Sequence, residues 1–165
     1  MPLTTFTIQT VCHGNICRSP MAAVVLRHHL DDAVPHFPVQ VSSSGVSAEE
    51  QGHPIDRRAG HVLERHGYAV DYHHRAHRIT SAELRQTDLI LPSTSQQAGE
   101  LVRRGAQADR VRLLRSFDPA LAGLRPGPEL DLDDPWWGTE ADFESVLDQL
   151  ERLAPGVVDY VSRLS

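Results

Sequence analysis

Residues 5–30, TFTIQTVCHGNICRSPMAAVVLRHHL, contain a predicted strand, a loop and a predicted helix in direct succession. The first seven residues, Thr5 to Val11, are rich in β-branched and aromatic side chains and alternate loosely, which is typical of a β-strand. Ser19 and Pro20 are residue types preferred at the N-cap and first position of a helix, so we expect a helix from Met21 to about Leu30. The loop CHGNICR, residues 12–18, therefore lies between the end of a strand and the start of a helix.

The middle of the chain continues this alternation of strands and helices. Hydrophobic patterning predicts three further strands, at Pro38–Ser42, Asp88–Leu91 and Val111–Leu114. Cap patterns predict three helices: one near Ile55–His66 ended by Gly67, a short one after a Thr80–Glu83 capping box, and one from a Ser93–Gln96 capping box to about Arg104.

The sequence of the last third of the chain predicts a long loop followed by a helix. Residues 116–138 carry four prolines and no helical period, and loops of this length in a compact domain are usually functional. From Thr139 to about Leu164 apolar residues recur at helical spacing, and Pro155-Gly156 is expected to kink or interrupt that helix.

This order of elements predicts an α/β fold built as one domain over residues 1–165. We expect an open, four-stranded, mainly parallel sheet with the first strand in the centre and helices on both faces. Ligands of such folds bind at the carboxyl ends of the strands, so the loop after the first strand is the candidate ligand-binding site.

The composition excludes several classes of protein. The 16 basic and 22 acidic residues give a net charge of −6, which disfavours general binding to nucleic acid or to an anionic membrane. All the basic residues are arginine, so Schiff-base and lysine general-base chemistry is excluded. Two cysteines are too few for a disulfide-stapled secreted scaffold. No secretory leader or membrane-spanning run is recognisable, which predicts a cytoplasmic location and leaves open export without a cleavable signal.

The loop of residues 12–18 combines residue types that suit a nucleophile acting on a phosphate. A helix N-terminus offers unpaired N–H groups and a partial positive charge, which together attract a dianion. The same field, with Arg18 nearby, should hold the Cys12 sulfur as a nucleophilic thiolate. Gly14 and Asn15 tolerate the left-handed backbone that a loop around an anion requires, and the Arg18 fork can bind two phosphoryl oxygens.

The proline-rich loop is the predicted source of a general acid. A carboxyl group on a long loop can move over a site and protonate a leaving group. Asp131, Asp133 and Asp134 are all candidates, and residue types alone do not choose among them.

Ten histidines raise the question of a metal site. The adjacent pairs His28–His29 and His73–His74 suit one metal poorly, because neighbouring side chains point in different directions. The chain also lacks a His-Glu-x-x-His motif. We therefore predict no metal and no cofactor.

The run VCHGNICRSPMA, Val11 to Ala22, resembles the signature of the low-molecular-weight protein tyrosine phosphatases. The resemblance extends along almost the whole chain, through SSG at 43–45, GHP at 52–54, DRRA at 56–59, HRA at 74–76, DLIL at 88–91 and DPWWG at 134–138. RVRLLRSFDP, residues 110–119, and the two tryptophans after Asp134-Pro135 are most similar to the actinobacterial members. Among the three aspartates, the match to the family favours Asp134.

This resemblance implies a two-step hydrolysis of phosphotyrosine and small aryl phosphates. Cys12 would attack phosphorus and become a cysteinyl phosphate, and Asp134 would protonate the leaving oxygen and then activate water. Arg18 would bind the phosphoryl oxygens together with the N–H groups of the loop from His13 to Ser19, which are His13, Gly14, Asn15, Ile16, Cys17, Arg18 and Ser19.

The resemblance also implies supporting roles. Ser19 would donate a hydrogen bond to the Cys12 sulfur, and Asn15 would hold the strained loop with Ser43 and His74 as its partners. Cys17 has two interpretations: a filler of the underside of the loop, or a thiol that traps oxidised Cys12 as a reversible disulfide.

Four positions near the expected pocket bear on substrate choice. Trp136 and Trp137 either pack the loop or form a wall against the substrate ring. Thr94 stands where the family usually has an aspartate, which removes a charge partner behind the site. Glu49 replaces a pocket aromatic, and an acidic rim there would favour basic or neutral peptide contexts.

Three other functions are weighed against this one. Phosphoarginine phosphatases on this scaffold tend to carry threonine where Ile16 stands, and arsenate reductases need further cysteines after Cys17. A catalytically silent phosphate-binding module is disfavoured by Cys12, Arg18 and Asp134 occurring together. The expected partners are phosphotyrosyl proteins and inorganic phosphate or other oxyanions, and the expected state is a monomer or weak dimer.

Overall fold

A parallel three-stranded sheet lies at the centre of this computed structural model, which describes residues 4–33 and 35–164. Strand β1 (Phe6–Cys12) lies between β2 (Val39–Gly45) and β3 (Leu89–Pro92), so the predicted central position of the first strand is confirmed. The β1–β2 register ends with Cys12 opposite Gly45. The loop that follows β1 therefore begins at the carboxyl edge of the sheet.

The predicted fourth strand, Val111–Leu114, is wrong. Val111 forms one isolated parallel bridge with Ile90, and the Arg112 N–H donates to the Ile90 carbonyl at 3.0 Å. The chain then turns away, because Leu114 begins a 3-10 turn and is fully buried in the core that α5 also contacts. Burial of Leu114 thus replaces continued pairing along the β3 edge.

Helices cover both faces of the sheet, as predicted. Alternating residues of β3 point to opposite faces: Leu89 and Leu91 join one core cluster, and Ile90 joins the other. The first cluster includes residues of α1, α2 and α5, and the second includes residues of α3 and α4. The helices are α1 (Arg18–Ala33), α2 (Arg57–Arg65), α3 (Ser81–Gln86), α4 (Ser95–Arg103) and α5 (Glu140–Ser162).

The cap patterns of the helices are partly confirmed. The Thr80–Glu83 capping box is present at α3, and Gly67 has φ +83° after α2. The box at α4 is formed by Thr94 and Gln97, so the predicted Ser93–Gln96 box is wrong by one residue. The Ser93 hydroxyl instead donates to the Val11 carbonyl at 2.8 Å, so the Ser93 side chain is directed toward β1.

The predicted start of the first helix is also wrong. Helix α1 already begins at Arg18, so Ser19 lies inside its first turn and is not its N-cap. The Ser19 hydroxyl is instead bonded to Asn15, Ser44 and Cys12, all in or beside the loop that precedes the helix.

The last helix runs through Pro155 and Gly156, so the predicted interruption at this pair is wrong. Proline removes one backbone hydrogen bond. Fully buried Leu153, Ala154 and Val157 nevertheless hold the helix in the core on both sides of Pro155.

Residues 108–137 contain short 3-10 turns at Ala108–Arg110, Leu114–Phe117, Pro119–Leu121, Pro128–Leu130 and Pro135–Trp137. Within the described residues, the structure has no helix long and apolar enough to cross a membrane.

Candidate active site

The loop between β1 and α1 is held in place through its carbonyl groups. Those of Cys12, His13 and Ile16 accept hydrogen bonds of 2.9–3.0 Å from backbone N–H groups outside the loop, which belong to Val46, Ser47 and Asp56. Among the described residues, no acceptor faces the N–H groups of Gly14, Ile16 or Cys17. A loop whose carbonyls bind the scaffold leaves its N–H groups available to an anion.

Asn15 has a left-handed backbone, with φ +62°, and its side chain ties the loop to three neighbours. Its amide nitrogen donates to the hydroxyls of Ser19 at 2.8 Å and Ser43 at 3.0 Å. Its amide oxygen accepts from the backbone N–H of His77 at 3.1 Å. The side chain is fully buried, so these bonds fix the turn of the loop.

The Cys12 sulfur lies at the floor of the loop with two hydrogen-bonding neighbours. It accepts from the Asn15 N–H at 3.2 Å and lies 3.0 Å from the Ser19 hydroxyl. The same hydroxyl is 3.1 Å from the Ser44 carbonyl. Because serine has one proton, it can donate to that carbonyl or turn to stabilise a Cys12 thiolate.

His74 supports the loop from behind. Its Nε2 lies 2.8 Å from the Asn15 carbonyl, which can only accept, so that nitrogen carries a proton. Burial lowers the pKa of His74, and the hydrogen bond to Asn15 and the charge of Asp71 partly oppose that shift. The imidazole is therefore neutral at neutral pH, with its proton on the nitrogen that binds the loop.

Arg18 is the first residue of α1 and is 5% exposed. Its Nη1 donates to the Leu132 carbonyl at 2.9 Å, and its Nη2 is 3.5 Å from an Asp134 carboxylate oxygen. The Arg18 guanidinium thus contacts a backbone carbonyl and the candidate acid.

Thr94, the position where the resemblance led us to expect an aspartate, caps α4 by accepting from the Gln97 N–H.

The three aspartates of the proline-rich loop have different surroundings. Asp134 lines the same cavity as Cys12 and Arg18, and its second oxygen accepts from the Trp136 N–H at 3.1 Å. Asp131 accepts from the Ser95 N–H at 2.7 Å and so binds the first turn of α4. Asp133 is exposed and does not line the cavity. Of the three aspartates that residue types did not distinguish, only Asp134 therefore lines the cavity.

These residues surround a cavity of about 460 Å³. Trp137, which is 87% exposed, and the half-exposed Trp136 line this cavity and also reach solvent. The lining consists of Cys12, His13, Gly14, Ile16, Cys17, Arg18, Glu49, Glu50, Asp134, Trp136 and Trp137.

Two carboxylates, those of Glu49 and Glu50, also line the cavity. Glu49 pairs with His13 at 3.2 Å, and Glu50 pairs with His53 at 2.6 Å. The Glu50 side chain also lies against the α-carbon of Gly14. An acidic rim with two histidine partners therefore borders the cavity.

Cys17 is buried and contributes to the lining of the cavity, and both cysteines are free thiols. Burial, and then the nearby negative charge of Asp56, strongly raise the pKa of Cys17. Cys17 is therefore a protonated thiol at neutral pH. Its proposed role as a partner for oxidised Cys12 stays a prediction.

Several contacts of the site involve groups that residue types did not predict. The N–H groups of His77 and Asp56 and the carbonyl of Leu132 are backbone atoms, which every residue carries and which give no signal in a sequence. No group of three or more side chains within residues 4–33 and 35–164 is arranged to hold a metal ion.

Comparison with known proteins gives a consistent result. Residues 7–164 match the profile of the family described as low molecular weight phosphotyrosine protein phosphatase. Low molecular weight protein-tyrosine phosphatase A of Mycobacterium tuberculosis is 43% identical over 157 residues, covering 92% of this chain and 88% of that protein. The low molecular weight protein-tyrosine-phosphatase of Streptomyces coelicolor is 38% identical over 160 residues, covering 93% and 92%.

A solved structure of the YwlE arginine phosphatase superposes with a TM-score of 0.81 at 24% identity, covering 96% of this chain and 97% of that one. That likeness shows the shared α/β fold. Because the family profile spans nearly the whole described chain and the two actinobacterial relatives match along most of their length, this chain belongs to the low molecular weight phosphotyrosine protein phosphatase family.

Proposed function

We propose that this enzyme hydrolyses phosphotyrosine in proteins, and small aryl phosphates, through a cysteinyl phosphate on Cys12. The observation that carries the proposal is one cavity lined by a cysteine, an arginine and a carboxyl group, with Arg18 and Asp134 3.5 Å apart. A nucleophile, an oxyanion clamp and an acid in one pocket are the groups that phosphoryl transfer to water through an enzyme thiol requires.

In the first step the Cys12 thiolate attacks phosphorus, an S–P bond forms, and the bond to the aryl oxygen breaks. Asp134, in its protonated form, gives its proton to that oxygen, because a phenolate leaves more readily once protonated. The Arg18 fork and the N–H groups of the loop bind the three remaining phosphoryl oxygens and stabilise their charge.

In the second step water attacks the cysteinyl phosphate. Asp134, now ionised, accepts a proton from that water while the S–P bond breaks and inorganic phosphate forms. The departing Cys12 thiolate is stabilised by the Asn15 N–H and the Ser19 hydroxyl, which lie 3.2 and 3.0 Å from the sulfur.

The lining of the cavity supports an aromatic substrate. Ile16 and the two tryptophans are apolar surfaces against which a phenyl ring can pack, and Ile16 offers no hydrogen bond to a guanidinium group. Arsenate reduction would need a further cysteine after Cys17, and the sequence has none. The single domain over residues 1–165, the cytoplasmic location and the monomeric or weakly dimeric state stay predictions.

The test is the release of 4-nitrophenol from its phosphate at mildly acidic pH with EDTA present. Turnover should survive the chelator, vanish in Cys12→Ser and fall about 10²-fold or more in Asp134→Asn. Asp133→Asn is the matched control, because Asp133 is the exposed neighbour outside the cavity, and it should retain wild-type turnover. An inactive wild type that is folded and reduced, or an active Cys12→Ser, would contradict the proposal.

A further inference from the structure

Arg58, in the first turn of α2, binds the segment that carries the candidate acid. Its Nη1 donates to the Gly138 carbonyl at 3.0 Å, and its Nη2 donates to the Trp136 carbonyl at 3.2 Å. These two carbonyls belong to the end of the 3-10 turn Pro135–Trp137, where backbone oxygens lack partners within the turn. One guanidinium group thus closes that turn.

The other side of the same guanidinium faces the phosphate-binding loop. Its Nε and Nη2 donate to the two carboxylate oxygens of Asp56 at 3.2 and 3.1 Å. The N–H of Asp56 in turn donates to the Ile16 carbonyl at 2.9 Å. Arg58 and Asp56 therefore form a continuous connection from the loop that holds Cys12 to the turn that holds Asp134.

Aromatic rings restrict the orientation of the Arg58 side chain. Its guanidinium carbon lies 4.6 Å from the centre of the buried Phe143 ring and 5.6 Å from the centre of the Trp136 ring. A planar guanidinium stacked on rings and bonded in two directions has one favourable orientation, which a lysine ammonium would not reproduce.

The Asp134 carboxyl group depends on the turn that Arg58 closes. Asp134 accepts from the Trp136 N–H at 3.1 Å, and the Gly138 N–H donates to the Pro135 carbonyl at 2.9 Å, so residues 134–138 are bonded to one another. A shift of the Trp136 and Gly138 carbonyls would therefore move the carboxyl group relative to Arg18.

We propose that Arg58 is a positioning residue which holds Asp134 at the geometry needed to protonate the leaving oxygen. The inference rests on the proposed function and adds a prediction of its own. Loss of Arg58 should impair proton donation to the leaving group and spare the attack of Cys12, because Arg58 does not line the cavity.

The test compares two substrates that need the acid to different extents. Phenyl phosphate releases a phenol with a pKa of about 10, like that of tyrosine, and 4-nitrophenyl phosphate releases a more acidic phenol. The ratio kcat/KM reports the steps up to cysteinyl phosphate formation. For Arg58→Met, which keeps an apolar stem on Phe143, we expect kcat/KM to fall about 10²-fold with phenyl phosphate and less than about tenfold with 4-nitrophenyl phosphate.

Two comparisons make the result specific to Asp134. Arg57→Met changes the exposed neighbouring arginine and should leave kcat/KM at the wild-type value with both phenyl phosphate and 4-nitrophenyl phosphate. Adding Arg58→Met to Asp134→Asn should cause no further loss with phenyl phosphate, since the acid on which Arg58 acts is already absent. Arg58→Lys keeps the charge and loses the planar fork, so its kcat/KM for phenyl phosphate should lie between those of wild type and Arg58→Met. It replaces Arg58→Met in the test if the methionine variant does not fold.

Equal losses with both substrates, or a further loss in the Asp134→Asn background, would overturn the positioning role while wild-type turnover still supports the proposed function. Absence of wild-type turnover with either aryl phosphate would overturn both. A wild-type pH profile in Arg58→Lys, with no change in the dependence on the leaving group, would also contradict the inference.

Discussion

Among individual residues, Asn15 shows how the site holds an unfavourable backbone. A non-glycine residue in the left-handed region costs of the order of 1 kcal/mol or more, and asparagine is one of the types that tolerates it. Three side-chain hydrogen bonds, to Ser19, Ser43 and His77, offset that cost. The strain therefore serves to turn the N–H groups of the loop toward the cavity.

Glu49 carries a prediction about substrate choice. Its carboxylate borders the cavity and is 71% exposed. We therefore expect its charge to act through water on substrate residues beside the phosphotyrosine. In Glu49→Gln, kcat/KM for a phosphotyrosine peptide with acidic flanks should rise a few-fold relative to a peptide with basic flanks. The change should shrink on going from low salt to about 0.15 M salt, where the Debye length is about 8 Å.

The control for Glu49 removes the same charge elsewhere. Asp109→Asn, at an exposed position outside the cavity lining, should leave the ratio between the two peptides unchanged. An unchanged ratio in Glu49→Gln, or an equal change in Asp109→Asn, would mean that the acidic rim does not select peptides.

Between elements, the end of β2 packs directly against the loop after β1 at Gly45. A Cβ atom on Gly45 would lie 2.6 Å from the His13 carbonyl oxygen and 3.2 Å from the Asn15 nitrogen. Gly45→Ala should therefore push the loop outward, lower kcat/KM for 4-nitrophenyl phosphate at least tenfold, and destabilise the protein by about 1–3 kcal/mol in urea unfolding.

Gly99→Ala is the matched control for Gly45→Ala. Gly99 lies in α4, where an added Cβ meets the flexible end of the Arg103 side chain. Alanine in a helix is favoured over glycine by up to about 1 kcal/mol, so stability should stay equal or rise while activity is unchanged. Wild-type kinetics in Gly45→Ala would show that the loop does not depend on this close approach.

The elements also show what local sequence could predict. Thr80 and Glu83 form the predicted capping box because both partners lie within one turn. Ser93-Thr94-Ser95-Gln96-Gln97 allows two registers, and the choice depends on a bond from Ser93 to Val11, which is distant in sequence. The fourth strand was wrong for the same kind of reason, because burial of Leu114 is decided by tertiary packing.

The residues of the candidate site also differ in whether the local sequence could predict them. Cys12 and Arg18 were predictable from residue types, because strand, loop and helix start are contiguous. Asp134 was favoured over Asp131 and Asp133 by resemblance, and its surroundings separate it from them in the structure. The contacts of Arg58 with Trp136 and Gly138 join segments about eighty residues apart, and no local pattern reports such a pairing.

At the level of the whole molecule, a group of charges joins α2 to α5. Arg65 binds Glu140 at 2.9 Å and Glu144 at 2.8 Å, and His66 binds Glu144 at 2.6 Å. His61 lies 3.5 Å from Glu140. Since α2 carries Arg58 and α5 carries Phe143, these pairs lie at the same interface between α2 and α5 as the contact between Arg58 and Phe143.

This charge group predicts how stability changes with pH. The hydrogen bond from Arg65, followed by smaller contributions of His66, lowers the pKa of Glu144 below its ordinary value. A carboxyl group with a lower pKa in the folded state stabilises the fold above its unfolded pKa of about 4.3, and that contribution is lost as the pH falls through the folded pKa. Glu144→Gln should therefore lower the free energy of unfolding in urea at pH 7, by at most about 1 kcal/mol because the pair is partly exposed.

The difference between wild type and Glu144→Gln should shrink as the pH falls below about 4.3, and it should vanish once the pH lies below the lowered folded pKa of Glu144, where the carboxyl group is protonated in both states. Asp148→Asn is the control, because Asp148 pairs with Arg152 within α5 and joins no second helix. Its effect at pH 7 should be smaller, since an exposed pair within one helix contributes about 0.3–0.5 kcal/mol. A Glu144→Gln difference that is the same at pH 7 and pH 3 would mean that α2 and α5 are held by packing alone, because a contribution from charge must vanish with the charge.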